Sequence, residues 1–258
     1  MSELYSQLSA FAGLGQEWLW TAVLVFLRVG ATLALMPAFG EQVVPQRVRL
    51  ILALAFTAIV APAVADDVAS VPGNPRDAAV EVLVGLSLGI SLRLFILALH
   101  VAGAIIANVT SLSQLFGGST PDPQPAIGNL LTMAALALAV LSGLHVKAAS
   151  LLILSYHILP AGRFPAVADM ADWGLMQVVR SFALAFALAA PFVIASVVYN
   201  VALGIINKAM PQLPVTLVGA PALTAASLGL MLVAVPLILA VWLGSFDAFL
   251  SHPFRPAP

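Results

Sequence analysis

The stretch that decides the fold runs from Ala78 to Ala107 and reads AAVEVLVGLSLGISLRLFILALHVAGAIIA. Its only acidic or basic residues are Glu81 and Arg93, apart from a single histidine. A helix needs about 20 consecutive apolar residues to cross the hydrocarbon core of a bilayer. Apolar residues occupy every side of this helix rather than one stripe, so lipid or other helices must surround it. The stretch predicts a membrane-embedded helix.

Five further apolar runs of comparable character lie on either side of it. They extend from about Trp18 to Met36, Leu50 to Ala65, Ile127 to Leu159, Leu175 to Ile206, and Leu217 to Leu243. The sequence therefore predicts an all-α integral membrane protein with about six hydrophobic segments. Pro160 is expected to end the fourth run, and Pro191 and Pro236 lie inside the last two. Because an interior proline removes a helix hydrogen bond, kinked or broken helices and hairpins are expected there.

The composition leads to the same class of protein. Apolar residues make up 62% of the 258 residues and charged residues only 8%, against about 25% charged in a typical soluble domain. Too few ionised groups exist to cover a water-facing surface, so the exterior must meet the lipid bilayer or apolar partner subunits. The net charge of −1 offers no basic field for nucleic acid, and we expect no nucleic-acid partner.

The charges between the first three runs predict an orientation. Arg47 and Arg49 make the loop after the first run the most basic one, which favours the cytoplasmic side under the positive-inside rule. The next loop carries Asp66 and Asp67 and is expected on the far side. The N-terminus is then expected outside.

No catalytic or metal-binding constellation is present in the sequence. The chain lacks cysteine, a phosphate-binding G-x-x-x-x-G-K-[ST] loop and a G-x-S-x-G nucleophile turn. His100, His145 and His157 occur singly, without metal-ligand spacing. We expect no enzyme activity, no metal and no cofactor.

Arg28, Glu81 and Arg93 are charged residues that lie within or near apolar runs. Ionisable groups at membrane depth are costly and need partners, so they indicate either a proton or ion relay or a structural ion pair. Because no chain of further carboxylates or histidines accompanies them, the pattern favours structural ion pairs that lock helices together.

Two segments interrupt the apolar pattern. The first, NVTSLSQLFGGSTPDPQPAIG from Asn108 to Gly128, cannot contact lipid because its backbone groups would lack hydrogen-bond partners. It predicts either a pore loop or an ordinary solvent-exposed turn, and composition does not separate the two. The second, from Asn200 to Thr224, predicts a helical hairpin whose tip carries Lys208 and Gln212.

Several motifs, taken in order, resemble a known family. The stretch LGIINKAMPQLPVTLVG is similar to the late signature of the FliR family of flagellar biosynthesis proteins, approximately A-L-G-L-L-N-[KR]-x-x-P-Q with a later glycine. Residues that match other parts of the family pattern are Phe26, Arg28, Pro37, Phe39, Gly40, Pro45, Arg49, Glu81, Gly85, Gly89, Gly103, Asp122, Pro123, His145 and Pro160. The resemblance covers most of the chain.

The resemblance implies a subunit of the type III secretion export gate, in the bacterial inner membrane at the flagellar basal body. There the family forms a closed protein-conducting pore with FliP and FliQ homologues, next to FlhB-like and FlhA-like proteins, and unfolded secretion substrates pass through it. Residues 1–190 would be a FliP-like part with a central plug loop, and 191–258 a FliQ-like hairpin and tail.

The resemblance also assigns roles to residues. The pore plug loop would comprise Leu112, Ser113, Gln114, Leu115, Phe116, Gly117, Gly118, Ser119 and Thr120. The hairpin tip would comprise Asn207, Lys208, Pro211 and Gln212. Arg28, Glu81 and Arg93 would serve as buried ionic or structural locks. The chain departs from the family at Gly117 to Ser119, where bulkier residues are usual. Alternatives are an injectisome export-gate subunit (the SctT family), a small-solute secondary transporter and a structural membrane scaffold.

Overall fold

The computed structural model describes residues 2–69, 71–109, 126–209 and 215–254, and gives side chains for all of these except 2–17, 207 and 215–224. Within these ranges the secondary structure is entirely helical. The helices are α1 (Ser2–Leu35), α2 (Gln46–Ala63), α3 (Ala65–Val68), α4 (Pro75–Val109), α5 (Ala126–Leu141), α6 (Leu144–Ile158), α7 (Val167–Ala209) and α8 (Val215–Ser251).

Five of these helices are long and apolar enough to cross a membrane: α1, α2, α4, α7 and α8. Helices α5 and α6 form a pair bent by 76°, and this pair makes a sixth candidate span. The prediction of an all-α protein with about six hydrophobic segments is confirmed. The end of the fourth run is also confirmed, since α6 ends at Ile158, two residues before Pro160.

Two of the interior prolines do not break their helices. Helix α7 continues through Pro191, and α8 continues through Pro236. A proline removes one backbone hydrogen bond, and a long membrane helix tolerates that loss where neighbouring groups compensate for it. The break occurs instead at Ser142 and Gly143. Gly143 has a φ of +83°, a left-handed conformation that ends a helix and that glycine adopts without a steric penalty.

The chain divides into two compact units, the first made of residues 1–93, 143–176 and 248–258. In this unit α1 packs against α2 and runs parallel to α4. Arg28 pairs with Glu81, 53 residues later, and the hydroxyl of Thr32 donates to the carbonyl of Gly85, again 53 residues later. The two helices therefore keep a constant offset along their contact.

Glycine makes the close approach of α1 and α4 possible. A Cβ at Gly85 would overlap the backbone carbonyl of Arg28, and a Cβ at Gly89 would lie 2.9 Å from the Cβ of Leu35. Small residues at such crossings let helix backbones come together in membrane proteins. The E-x-x-x-G-x-x-x-G stretch is thus the face of α4 that contacts α1.

The C-terminal end of α8 closes the first unit. The indole N–H of Trp173 donates to the carbonyl of Pro253 over 3.0 Å, and its ring stacks on Phe254 with centroids 5.3 Å apart. Phe254 also packs against an apolar cluster that includes Val84 and Leu159. These contacts fasten the segment after α8 to α4, α6 and α7.

The second unit comprises residues 94–142 and 177–247. The indole of Trp242 on α8 donates to the carbonyl of Phe95 on α4 over 2.9 Å, and its ring stacks on Phe246. At another contact, a Cβ on Gly103 of α4 would overlap the backbone of Gly128 on α5. Close backbone approach and aromatic packing hold this unit together.

Candidate functional site

The best-defined polar site of the first unit is an ion pair between α1 and α4. The side chains of Arg28 and Glu81 are both 0% exposed, and Arg28 Nε lies 2.7 Å from Glu81 Oε2. A second bond joins an Arg28 terminal nitrogen to Glu81 Oε1 over 3.1 Å. Two parallel N–H···O bonds between a guanidinium and a carboxylate give both strength and a fixed geometry.

Helix α6 and the residue that follows it provide hydrogen-bond acceptors for the other N–H groups of Arg28. Arg28 donates to the hydroxyl of Ser155 over 3.2 Å and to the carbonyl of Leu159 over 3.0 Å. Its guanidinium carbon lies 3.7 Å from the centre of the Tyr156 ring, a cation–π contact. Four of the five guanidinium N–H groups available to an arginine thereby have acceptors.

The carboxylate of Glu81 also has several hydrogen-bond donors around it. Besides Arg28, it accepts from the hydroxyl of Tyr156 over 3.1 Å and from the backbone N–H of Gly162 over 3.1 Å. A carboxylate has about four lone-pair sites, so four donors fill its capacity. Each neighbour of Glu81 in this site is a hydrogen-bond donor, so both carboxylate oxygens have partners.

The sequence around Pro160 explains why α6 can serve both charges. Proline cannot continue the helix, so α6 ends at Ile158, and the carbonyl of Leu159 is left to accept from Arg28. Gly162 then adopts a φ of +69°, and a Cβ there would lie 3.0 Å from Val71. Glycine is required at this turn if the backbone N–H is to reach Glu81.

The third charged residue predicted from the sequence belongs to a different contact. Arg93 pairs with Glu41 over 2.7 Å, and their side chains are 42% and 24% exposed. Arg49 supports the same loop by donating to the carbonyls of Val44 and Glu41. The structure brings Arg28 and Glu81 together but does not bring Arg93 to them.

The polar site of the first unit connects α1, α4 and α6. Its charges are fully enclosed and hydrogen-bonded, and they join three helices that are far apart in sequence. Within the described ranges, no group of three or more His, Asp or Glu side chains is placed to hold a metal ion. His100 bonds to the carbonyl of Ile96, and the exposed His157 lies 3.8 Å from Asp67. Neither contact involves Glu81.

Three members of the site were missed by sequence reasoning: Ser155, Tyr156 and Gly162. A usable signal was present, because Ser155 and Tyr156 are adjacent polar residues that directly follow an apolar run, Leu151 to Leu154, just before Pro160. Such groups need hydrogen-bond partners at membrane depth. The sequence does not show which charges they meet.

The other predicted site residues lie mostly outside the described part of the chain. The whole plug loop, Leu112 to Thr120, is outside it, as are Pro211 and Gln212 of the hairpin tip. Asn207 and Lys208 lie in the last turn of α7, and Lys208 is exposed.

Comparison with known proteins decides the family. Residues 19–249 match the family described as bacterial export proteins, family 1. The chain belongs to this family. The flagellar biosynthetic protein FliR of Caulobacter vibrioides is 35% identical over 250 residues, which cover 95% of this chain and 99% of that relative. FliR of Escherichia coli K12 is 30% identical over 237 residues, covering 86% of this chain and 88% of that relative.

The resemblance to the FliR family is confirmed by these matches. A third relative, FliR of Aquifex aeolicus, is 28% identical over 241 residues, covering 91% of this chain and 92% of its own length. The family match encloses Arg28, Glu81 and Tyr156. The buried ion pair is therefore part of the family-1 export protein domain.

Proposed function

We propose that this chain is a core subunit of the flagellar type III secretion export gate. The observation that carries the proposal is the family match over residues 19–249, together with relatives named flagellar biosynthetic protein FliR that align over nearly their whole length. These matches support a component of the flagellar export apparatus. We propose further that the chain forms the closed protein-conducting pore with FliP and FliQ homologues in the bacterial inner membrane.

The apolar exterior supports a role inside an assembly. Helix α7 exposes Val197, Val198, Val201 and Ile205, each 57% or more, although these are large apolar side chains. Helix α8 likewise exposes Leu232 and Leu237, at 82% and 64%. Apolar surface of this extent needs a cover of lipid or protein. FliP and FliQ homologues would cover part of it, and the bilayer the rest.

The proposal gives each part of the chain a task. The Arg28–Glu81 pair holds α1, α4 and α6 in the arrangement that the partners recognise. Residues 112–120 form the plug of the pore, and Lys208 lies at the tip of the hairpin, in the last turn of α7. Residues 1–190 correspond to the FliP-like part and 191–258 to the FliQ-like part. Unfolded flagellar substrates pass through the pore, and FlhB-like and FlhA-like proteins act beside it.

Co-purification tests the assembly. The tagged chain is expressed with FliP and FliQ homologues from the same genome, extracted in a mild detergent, and the intact complex is weighed by mass spectrometry. We expect one defined complex that contains all three proteins. Recovery of the chain without either partner, from membranes in which both partners are present, would contradict the proposal.

Conductance tests the plug. Deletion of residues 112–120 is expected to make the reconstituted complex leak small ions, since the plug then no longer fills the pore. A matched control replaces the same nine residues by a Gly/Ser segment of equal length, which separates loss of contacts from loss of length. Conductance that stays at the wild-type level in the deleted complex would discard the plug assignment.

A further inference from the structure

Helix α2 carries a continuous apolar face that nothing in its own unit covers. Its buried side, which includes Phe56 and Val60, faces the other helices. The opposite side exposes Leu50, Ile51 and Leu54 at 51%, 64% and 53%. These positions recur every three to four residues and so form one stripe along the helix.

The stripe has a single cation, at the N-terminal end of α2. Arg47 lies one turn before Leu50 and Ile51, on the same face, and it is exposed. In the described part of the chain Arg47 has no hydrogen-bond or ion-pair partner. Arg49, by contrast, is occupied with the carbonyls of Val44 and Glu41. Arg47 is the charge that remains available to an external group.

Arg47 does not contribute to the stability of helix α2. The first turn of α2 contains no acidic residue, and the cap residue Pro45 makes no side-chain capping bond. A cation at the positive end of a helix macrodipole is unfavourable rather than stabilising. An anion that reached Arg47 would remove this conflict, because both the side chain and the helix end favour negative charge there.

The opposite end of α2 has the reverse charge. Helix α3, which follows directly, begins with exposed Asp66 and Asp67. An anionic group is therefore attracted to one end of the stripe and repelled from the other. From Arg47 to the exposed Ala58 the stripe is about 16 Å long at 1.5 Å per residue. That length is about half of a hydrocarbon core of about 30 Å, which is the depth of one lipid leaflet.

We propose that α2 binds an anionic phospholipid, with the headgroup phosphate on Arg47 and an acyl chain along Leu50, Ile51 and Leu54. The apolar stripe alone accepts any lipid chain. The unpaired cation at its end adds a preference for a negatively charged headgroup. This site lies outside the buried ion pair and does not depend on the partners of the export gate.

Lipid titration of the full chain in an uncharged detergent tests the site. Phosphatidylglycerol and phosphatidylcholine with identical acyl chains are added separately, and bound lipid is counted by native mass spectrometry. A single arginine near an anionic lipid surface contributes about a fivefold difference in affinity. We expect the wild type to prefer phosphatidylglycerol by about that factor, and Arg47→Gln to bind both lipids equally.

Arg76→Gln is the matched control, because Arg76 is also exposed but stands next to Asp77, on the segment that follows Asp66 and Asp67. It should keep the wild-type preference. Inorganic phosphate, added as a third arm, should not displace the lipid, since it cannot use the apolar stripe. The proposal is overturned if Arg47→Gln retains the preference, if Arg76→Gln loses it to the same degree, or if inorganic phosphate alone displaces the phosphatidylglycerol.

Discussion

Replacement of Glu81 by glutamine is the sharpest perturbation of the buried ion pair. The substitution keeps the size of the side chain but exchanges one acceptor oxygen for an NH2 donor. The four bonds to Glu81 come from donors only, two on Arg28 and one each on Tyr156 and Gly162. The new amide group therefore points a donor at donors, and Arg28 keeps its charge without a counter-ion.

The cost follows from complete burial. Removal of one partner from a buried ion pair costs about 3–5 kcal/mol, because the other charge stays in a low-dielectric site without compensation. For a chain of this size about 2–4 °C of Tm corresponds to each kcal/mol. Glu81→Gln should therefore lower Tm by about 6–20 °C, followed by tryptophan fluorescence in detergent.

Glu41→Gln is the matched control, since it removes the same group from the partly exposed pair with Arg93. Exposed pairs contribute about 0–1 kcal/mol, so the expected loss of Tm is at most about 4 °C. The reasoning is refuted if Glu81→Gln is no more destabilising than Glu41→Gln. A double variant, Glu81→Leu with Arg28→Met, should recover part of the loss, because an apolar pair leaves no buried charge.

Two further substitutions probe the packing. Gly103→Ala should destabilise the chain by about 1–3 kcal/mol in the same thermal assay, because the added methyl group overlaps the backbone of Gly128. Gly204→Ala is the control: no atom lies within 4 Å of the added Cβ, so this variant should be neutral or slightly stabilising. Equal effects of the two substitutions on Tm would exclude a tight crossing of α4 and α5 at Gly103. Trp173→Phe removes the hydrogen bond to the Pro253 carbonyl but keeps an aromatic ring. The free energy of unfolding should fall by about 1 kcal/mol, and carboxypeptidase should remove the C-terminal residues faster. An unchanged digestion rate would contradict the idea that this hydrogen bond holds the C-terminal segment in place.

The number and approximate position of the candidate membrane spans could be predicted because hydropathy adds up over many residues. The ends were predicted less well, since polar residues near the ends of a long helix resemble a loop in sequence. Helix α1 begins at Ser2 rather than near Trp18, and α8 continues to Ser251 rather than ending near Leu243. In both cases the hydrogen-bonded helix extends beyond the apolar run.

The break between α5 and α6 could not be predicted from composition. Glycine is common in membrane helices, where it serves close packing. A sequence does not distinguish a packing glycine such as Gly103 from one that leaves the helix such as Gly143. Only the backbone angle, +83° at Gly143, separates the two roles.

The partners of the charged residues depend on tertiary structure. Isolated charges in apolar runs indicate that partners exist, and Arg28 with Glu81 satisfies that expectation geometrically. Arg93 finds Glu41 instead, because Glu41 lies in a loop that only the packing of α1 on α4 brings near. The assignment of Ser155 and Tyr156 required the position of α6 as well.

The parallel contact of α1 and α4 makes the stretch from Arg28 to Glu41 intolerant of insertions and deletions. Arg28 meets a residue 53 positions later and Glu41 one 52 positions later, so a residue inserted between Arg28 and Glu41 would change the first spacing but not the second. One residue inserted in α1 after Arg28 would rotate everything beyond it by about 100° and move it by about 1.5 Å. Length variation among relatives should therefore be excluded from this stretch and collect where the helices have no such pairing.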